Sequence, residues 1–274
     1  MKKKIFISLF VIISLIALTA LYSRYIGTKG LVTKEYKLVY NSIPLEYNGL
    51  KIVHFSDLHY YSTIKENELE SIVNEINLLK PDIVVFTGDL LEEEVSLDNL
   101  VEILNKINCN LKYAVSGNND QNDKFENLME KANFKVLNDE YDLVYIDSYT
   151  PILLLGLSSS IDNNVNIEDR FNKINDSLNI DTALNILLLH EPDYIDRINY
   201  SKFNLILAGH SHNGQVKLPI IGKIHTPVGA KKYYDEYYKV GDTDLYISSG
   251  LGTSLYKFRL FNRPSISFYR ITNN

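Results

Sequence analysis

Four short stretches carry side chains that bind divalent metal ions. They are Asp57-Leu58-His59, Gly88-Asp89, Gly117-Asn118-Asn119-Asp120 and Gly209-His210-Ser211-His212, with His190 between the last two. Each follows an apolar run that reads as a buried strand, and each offers its oxygen or imidazole donors where that strand would end. The chain has six histidines, and four of them belong to this set. Ions held by such donors activate water, so the pattern predicts a dinuclear metal hydrolase.

The stretches differ in how much each says alone. Asp57 and His59 sit two apart after the run from Lys51 to Ser56; in extended chain they would point to the same side and reach one ion. Gly88 permits a tight turn before Asp89, although Asp89 before Leu90 and Leu91 also reads as a helix N-cap. Asn118 offers a neutral oxygen ligand, but asparagine is also an ordinary turn residue. His210 and His212 are the sharpest element, two imidazoles two apart after a buried run. His190 follows Ile186 to Leu189. His54, inside a strand, and His225, in a loop, receive no role.

The elements that must position these residues follow from periodicity. Leu50 to Phe55, Ile83 to Thr87, Leu111 to Val115, Ile186 to Leu189 and Leu205 to Leu207 read as buried strands. Glu66 to Leu79 spaces Leu69, Ile72, Val73, Ile76 and Leu79 by three and four, which predicts an amphipathic helix, and Pro81 stops it. Helices are also predicted over 97–107, 123–132 and 167–174. Strands are predicted over 134–137, 143–146 and 152–157, and the segment from Gln215 to Ile271 is strand-like and turn-rich. This order predicts an α/β sandwich, with mixed sheets at the centre and helices outside. Ligands gather at the carboxyl ends of strands in such folds, where all the motifs fall.

The N-terminus is different. Three lysines precede an uncharged run from Ile5 to Tyr22. As a helix that run spans about 27 Å, close to the hydrocarbon thickness of a bilayer. Leu18 spoils the small-x-small pattern of a cleavage site, so residues 1–24 are expected to be an uncleaved signal anchor. Residues 25–35 would form a juxtamembrane linker and 36–274 the catalytic domain. The lysines before the run place the N-terminus in the cytoplasm and the domain outside, while Arg24 and Lys29 act against that orientation.

Composition excludes several classes. A net charge of -6 argues against a general nucleic-acid binder. The single cysteine, Cys109, cannot form an internal disulfide framework or a cysteine-rich zinc site. No Gly-x-Ser-x-Gly elbow supports a serine hydrolase.

Taken in order, Asp-x-His, Gly-Asp, Gly-Asn-Asn-Asp, His and Gly-His-x-His resemble the calcineurin-like metallophosphoesterase superfamily. Gly209 to Gln215, His190-Glu191-Pro192-Asp193 and Ser249 to Ser254 are similar to its membrane-associated, YaeI/YkuE-like phosphodiesterase branch. The resemblance covers about residues 36–272. It implies a four-layer α-β-β-α sandwich of two mixed sheets flanked by helices, preceded by the transmembrane helix. It also implies two divalent ions, with Mn, Fe or Zn suited to a sulfur-free ligand set. Asp57, His59 and His212 would bind one ion, Asn118, His190 and His210 the other, and Asp89 both. A hydroxide bridging the ions would cleave a phosphodiester or pyrophosphate, in a lipid or cell-envelope precursor. The family usually has histidine, oriented by the acidic residue that follows, where this chain has Asn119 and Asp120. Asparagine cannot act as the leaving-group acid, which favours activated diesters or pyrophosphates; the alternative reading is a weak or inactive metal-binding module. Two further residue sets each admit two readings. The basic-aromatic run of Lys231 to Tyr234 with Tyr237 and Tyr238 reads as an exposed segment or a membrane-surface patch, and Arg259 as a substrate-phosphate contact or a surface salt bridge.

Overall fold

The computed structural model describes residues 2–91, 97–120, 122–161, 166–219, 222–254 and 256–273. In chain order the elements are α1 (Lys2–Tyr25), β1 (Val32–Val39), β2 (Leu50–Phe55), α2 (Glu66–Leu79), β3 (Ile83–Thr87), α3 (Asp98–Asn105), β4 (Leu111–Val115) and α4 (Asn122–Lys131). There follow β5 (Lys135–Val136), β6 (Glu140–Val144), β7 (Ile152–Gly156), α5 (Ile167–Asn175), β8 (Leu184–Leu188) and β9 (Leu205–Ala208). The short hairpin β10 (Lys217–Leu218) and β11 (Gly222–Lys223) precedes β12 (Tyr237–Val240), β13 (Thr243–Ile247) and β14 (Ser265–Thr272).

Two six-stranded mixed sheets form the centre, in the orders β1-β14-β2-β3-β4-β5 and β12-β13-β9-β8-β7-β6. β2, β3, β4 and β5 run parallel, as do β7, β8, β9 and β13. The unbroken apolar runs of β3, β7 and β9, and the largely apolar ones of β2, β4 and β8, are explained by burial on both faces. In β3, Ile83 and Val85 point between the sheets while Val84 and Phe86 point to the outer core under the helices. In β8, Ile186 and Leu188 face inward and Leu187 faces the second outer core. Leu69, Ile72 and Ile76 of α2, Leu100 and Leu104 of α3, and Phe125 and Met129 of α4 cover the first sheet. Ile167, Phe171 and Ile174 of α5, with Tyr194 and Ile195 of a 3-10 turn, cover the second. The layers are therefore helix, sheet, sheet, helix, as the sequence predicts.

Two sequence expectations shift. The segment read as a linker ends at 35, yet β1 begins at Val32 and pairs in parallel with β14 from Val32 to Val39. It is an edge strand with most of its residues partly or fully exposed, so Thr33, Lys34, Glu35 and Lys37 hide the alternation that marks a half-buried strand. The basic-aromatic run is exposed at Lys231, Lys232 and Tyr237 but not throughout. Tyr233 is buried in the second outer core, and the backbone N–H groups of Lys231, Lys232 and Tyr233 all donate to the Asp193 carboxylate.

The first helix keeps its apolar character exposed. Ile, Leu, Phe and Val side chains protrude all round, and within Lys2–Tyr25 the buried residue is Ser23. Among the described residues nothing covers its apolar window, and the helix is long and apolar enough to cross a bilayer.

Candidate metal centre

The parallel strands bring the motifs to one edge of the sandwich. Asp57 follows β2, Asp89 follows β3 and Asn118 follows β4; across the sheet interface His190 follows β8 and His210 and His212 follow β9. Backbone bonds stitch the loops together. Asp57 N donates to Gly88 O at 2.8 Å, Gly209 N to His190 O at 3.0 Å and Gly252 N to Asp57 O at 2.7 Å. The His210 N–H crosses to the first sheet and donates to the Asp57 carboxylate at 3.1 Å.

Two ligand groups result, Asp57-His59-His212 and Asp89-His190-His210, all six residues buried. In the first, His59 Nε2 lies 3.2 Å from His212 Nε2, which in turn is 3.4 Å from Asp57 Oδ1. In the second, His190 Nε2 lies 3.2 Å from His210 Nδ1 and 3.4 Å from Asp89 Oδ1. The groups adjoin, since His59 Nε2 is 3.7 Å from Asp89 Oδ2 and His190 Nε2 is 4.0 Å from Asp57 Oδ1. Imidazole nitrogens aimed at one another beside carboxylates are poorly satisfied by each other, and a cation between them resolves the conflict.

Outer contacts fix which ring nitrogen is presented. His190 Nδ1 donates to Thr87 O at 2.6 Å, leaving the Nε2 lone pair for the centre. His210 does the reverse: Nε2 donates to Val228 O at 2.7 Å and Nδ1 faces inward. In the turn after β4, Asn118 Oδ1 is buried and accepts no hydrogen bond among the described residues, as a free neutral ligand oxygen would be. An orphaned amide oxygen costs roughly 1–3 kcal/mol unless something coordinates it. The donor set therefore fits two divalent ions.

The backbone that makes this possible is not the extended one expected at Asp57 and His59. Asp57, His59, Asp89, His210 and His212 all have φ between 41° and 68°. Each sits in the left-handed region, which is costly for non-glycine residues and concentrates at functional sites. The turns, not strand pleating, aim the side chains. Asp89 caps no adjacent helix; the next described helix starts at Asp98. Gly88, at φ 88°, lets two loops touch: a Cβ there would lie 2.5 Å from Gly117 N and 2.7 Å from His190 Nδ1.

Charge is distributed unevenly. Burial opposes ionisation of Asp89, but His190, His59 and the Asn119 N–H outweigh it and hold the carboxyl below its usual range. His190 is raised, its burial outweighed by Asp89 and Asp57. Burial and the neighbouring His190 lower His210 to about 4, and burial with His59 and Arg259 lowers His212. Burial raises Asp57. A metal-free centre thus carries an imidazolium at His190 where a cation would sit.

A model of the calcineurin-like phosphoesterase family matches residues 50–214. The chain belongs to that family. The matched span contains every residue of both ligand groups. The chain is 30% identical to the metallophosphoesterase YkuE of Bacillus subtilis, over 91% of this chain and 88% of that protein. It is 26% identical to a Danio rerio transmembrane protein with a metallophosphoesterase domain, over 92% of this chain and 60% of that protein. The fold is shared with the sulfate thiohydrolase SoxB of Thermus thermophilus, at a TM-score of 0.50 and 14% identity over 83% of this chain and 57% of that one. Membership of the calcineurin-like phosphoesterases makes this a phosphoester hydrolase that uses divalent metal ions, and the exposed apolar helix associates it with membranes.

Several residues of this calcineurin-like centre do things the sequence did not disclose. Asn119 donates twice to Asp89, from its N–H to Oδ1 and from Nδ2 to Oδ2, each at 2.9 Å. Asp120 makes its bonds to backbone rather than to the Asn119 side chain: it accepts from Asp89 N, Leu90 N and Gly117 N at 2.8–2.9 Å. Burial and Asp89 push its carboxyl up to about 7. Arg259 is neither a substrate contact nor a surface salt bridge; it is 0% exposed, donates to Gly250 O and Gly252 O, and stands behind His212. Asn262 Nδ2 donates to His212 O. No periodicity marks these two positions, because the contact each makes with His212 lies about fifty residues away in sequence.

Proposed function

We propose that this calcineurin-like enzyme is a membrane-anchored dinuclear phosphohydrolase, cleaving a phosphodiester or pyrophosphate in a lipid or cell-envelope precursor outside the cytoplasm. The observation that carries the dinuclear reading is the pair of adjoining buried ligand groups, supported by the unpartnered Asn118 Oδ1. Asp57, His59 and His212 would hold one ion and Asn118, His190 and His210 the other, with Asp89 a ligand shared between them. Bound there, two divalent ions polarise a phosphoryl oxygen and supply a nucleophile at neutral pH.

The chain's own residues position that chemistry. Asp120 ties the Asp89 and Gly117 turns together through three backbone N–H groups. Asn119 orients the Asp89 carboxylate and, lacking an acidic proton, gives no proton to the leaving group. A positioned acid is worth about 10²–10⁴ in rate. Its absence matters least when the departing oxygen is already a stable anion, which supports activated diesters and pyrophosphates. The lipid reading is supported by the apolar helix, which confines the centre near a bilayer, and the outward orientation by Lys2, Lys3 and Lys4 before it.

The test is turnover of bis-(p-nitrophenyl) phosphate by the detergent-solubilised chain, stripped of metal and reloaded with Mn²⁺, with Asp89→Asn as control. Metal-dependent hydrolysis that disappears in Asp89→Asn is the expected result. Two bound metals without turnover on this or any pyrophosphate would point to a binding module, and absence of bound metal would overturn the centre.

A further inference from the structure

Beyond the metal centre, the foot of the anchor helix holds an open cavity of about 590 Å³. Its wall comes from the turn that leaves α1, the 62–64 loop, the start of α2 and Lys257. Three cations line it: Arg24, Lys29 and Lys257. In a chain of net charge -6 all three lack an ion-pair partner among the described residues. Two are held in place by backbone: Arg24 Nη1 donates to Lys257 O at 3.2 Å, and Lys257 Nζ to Ser62 O at 2.7 Å. Each keeps further N–H donors for a ligand. Lys29 lies exposed at the rim. The acid in the wall, Glu68, is exposed and accepts from Lys65 N at the start of α2.

The position of the cavity says what it would meet. If Ile5 to Tyr22 spans the hydrocarbon, then Arg24 to Leu31 lie at headgroup depth. Exposed aromatics flank the same level: Tyr22 and Tyr25 on the helix, Tyr256 at 74% and Phe261 at 69% exposure on the adjoining loop. Amphipathic aromatics of this kind settle at membrane interfaces. That loop is fastened to the helix, since Ser23 Oγ donates to Arg259 O and Arg259 N to Ser23 O, both at 3.0 Å. Cations ringed by aromatics at an interface suit a phosphate with an acyl-glycerol attached, and Leu31 and Ile64 offer apolar wall for the glycerol carbons.

We propose that this cavity binds the phosphate of an anionic lipid headgroup, at a site separate from the metal centre. The inference rests on reading the helix as a membrane span but not on the hydrolytic activity. The full chain in non-ionic detergent would be titrated calorimetrically, free of metal, with dihexanoyl phosphatidylglycerol, dihexanoyl phosphatidylcholine and inorganic phosphate. The titrations would be repeated on Asp89→Asn, Lys29→Glu and Lys257→Gln. The expected result is saturable phosphatidylglycerol binding at least about tenfold tighter than phosphatidylcholine, retained in Asp89→Asn and weakened about tenfold in each lysine variant, the scale of one charge-assisted contact. Equal binding of the two lipids, or binding indifferent to both lysines, would overturn the site. Inorganic phosphate binding as tightly as phosphatidylglycerol would overturn its assignment to lipid. Loss in Asp89→Asn would move the lipid to the metal centre. Failure of the nitrophenyl phosphate assay would leave all these outcomes readable.

Discussion

Arg259 Nη2 lies 3.3 Å from Nδ1 of His212, and the same guanidinium donates to the carbonyl oxygens of Gly250 and Gly252. A fully buried cation thus stands directly behind a metal-site imidazole and clamps the glycine loop that the imidazole leans on. Gly250 is small for this reason: a Cβ there would lie 2.8 Å from His212 Nδ1. Burial lowers the guanidinium to about 9, still charged at neutral pH.

Arg259→Met should therefore lower stability by about 3 kcal/mol, since it leaves buried carbonyls unpaired. It should also weaken binding of one metal more than the other, because Arg259 touches the His212 group and not the His190 group. Thermal unfolding with and without Mn²⁺, together with metal stoichiometry, checks both parts. Equal loss of both metals would mean the effect is global.

Gly117→Ala should impair metal binding while sparing the sheets. Its Cβ would fall on the Asp89 carboxylate and main chain. Elemental analysis should find fewer than two metals per chain, and the far-ultraviolet circular dichroism should match that of the unaltered protein.

Metal loading should release protons. His190 is held protonated by Asp89 and Asp57 in the metal-free centre, and a bound ion requires the neutral ring. Titrating Mn²⁺ into metal-free protein in weakly buffered solution near pH 7 should liberate about one proton per chain from this residue. A calorimetric enthalpy that does not change with buffer ionisation would contradict this.

His54 should make the protein acid-sensitive. It is buried between the sheets, with Nε2 2.7 Å from Thr87 Oγ1, and burial lowers it to about 3 from 6.5. The fold keeps the ring neutral, so its contribution is complete above pH 6.5. As pH falls through 6.5 toward 3 the unfolded chain takes a proton that the folded one refuses, and stability falls by up to about 1.4 kcal/mol per pH unit. In His54→Gln that slope should flatten between pH 6 and 4, as read from denaturant midpoints relative to the unaltered protein.

Asn119→His should restore a leaving-group acid. Hydrolysis of alkyl phosphodiesters should rise by about 10-fold or more, with little change on bis-(p-nitrophenyl) phosphate. A parallel change on both substrates would mean that the residue acts only through its bonds to Asp89.

Much of this molecule is local and therefore legible in the chain. Largely apolar runs mark β2, β3, β4, β8 and β9, because a strand buried on both faces needs no alternation. Three-and-four spacing marks α2, and an uncharged N-terminal run marks the exposed helix. Donor residues just past those runs disclose the ligand inventory. The edge strand β1 was masked by its own polar residues, since its buried face records little beyond Tyr36 and Leu38. The left-handed turns at Asp57, His59, Asp89, His210 and His212 were not legible either. They depend on contacts such as His59 with His212, 153 residues apart, and on glycines that let two loops meet. Arg259 and the cavity at the anchor's foot belong to the same class. A residue's type sets what it can bond, but which partner it meets is decided by how two sheets and a helix come together.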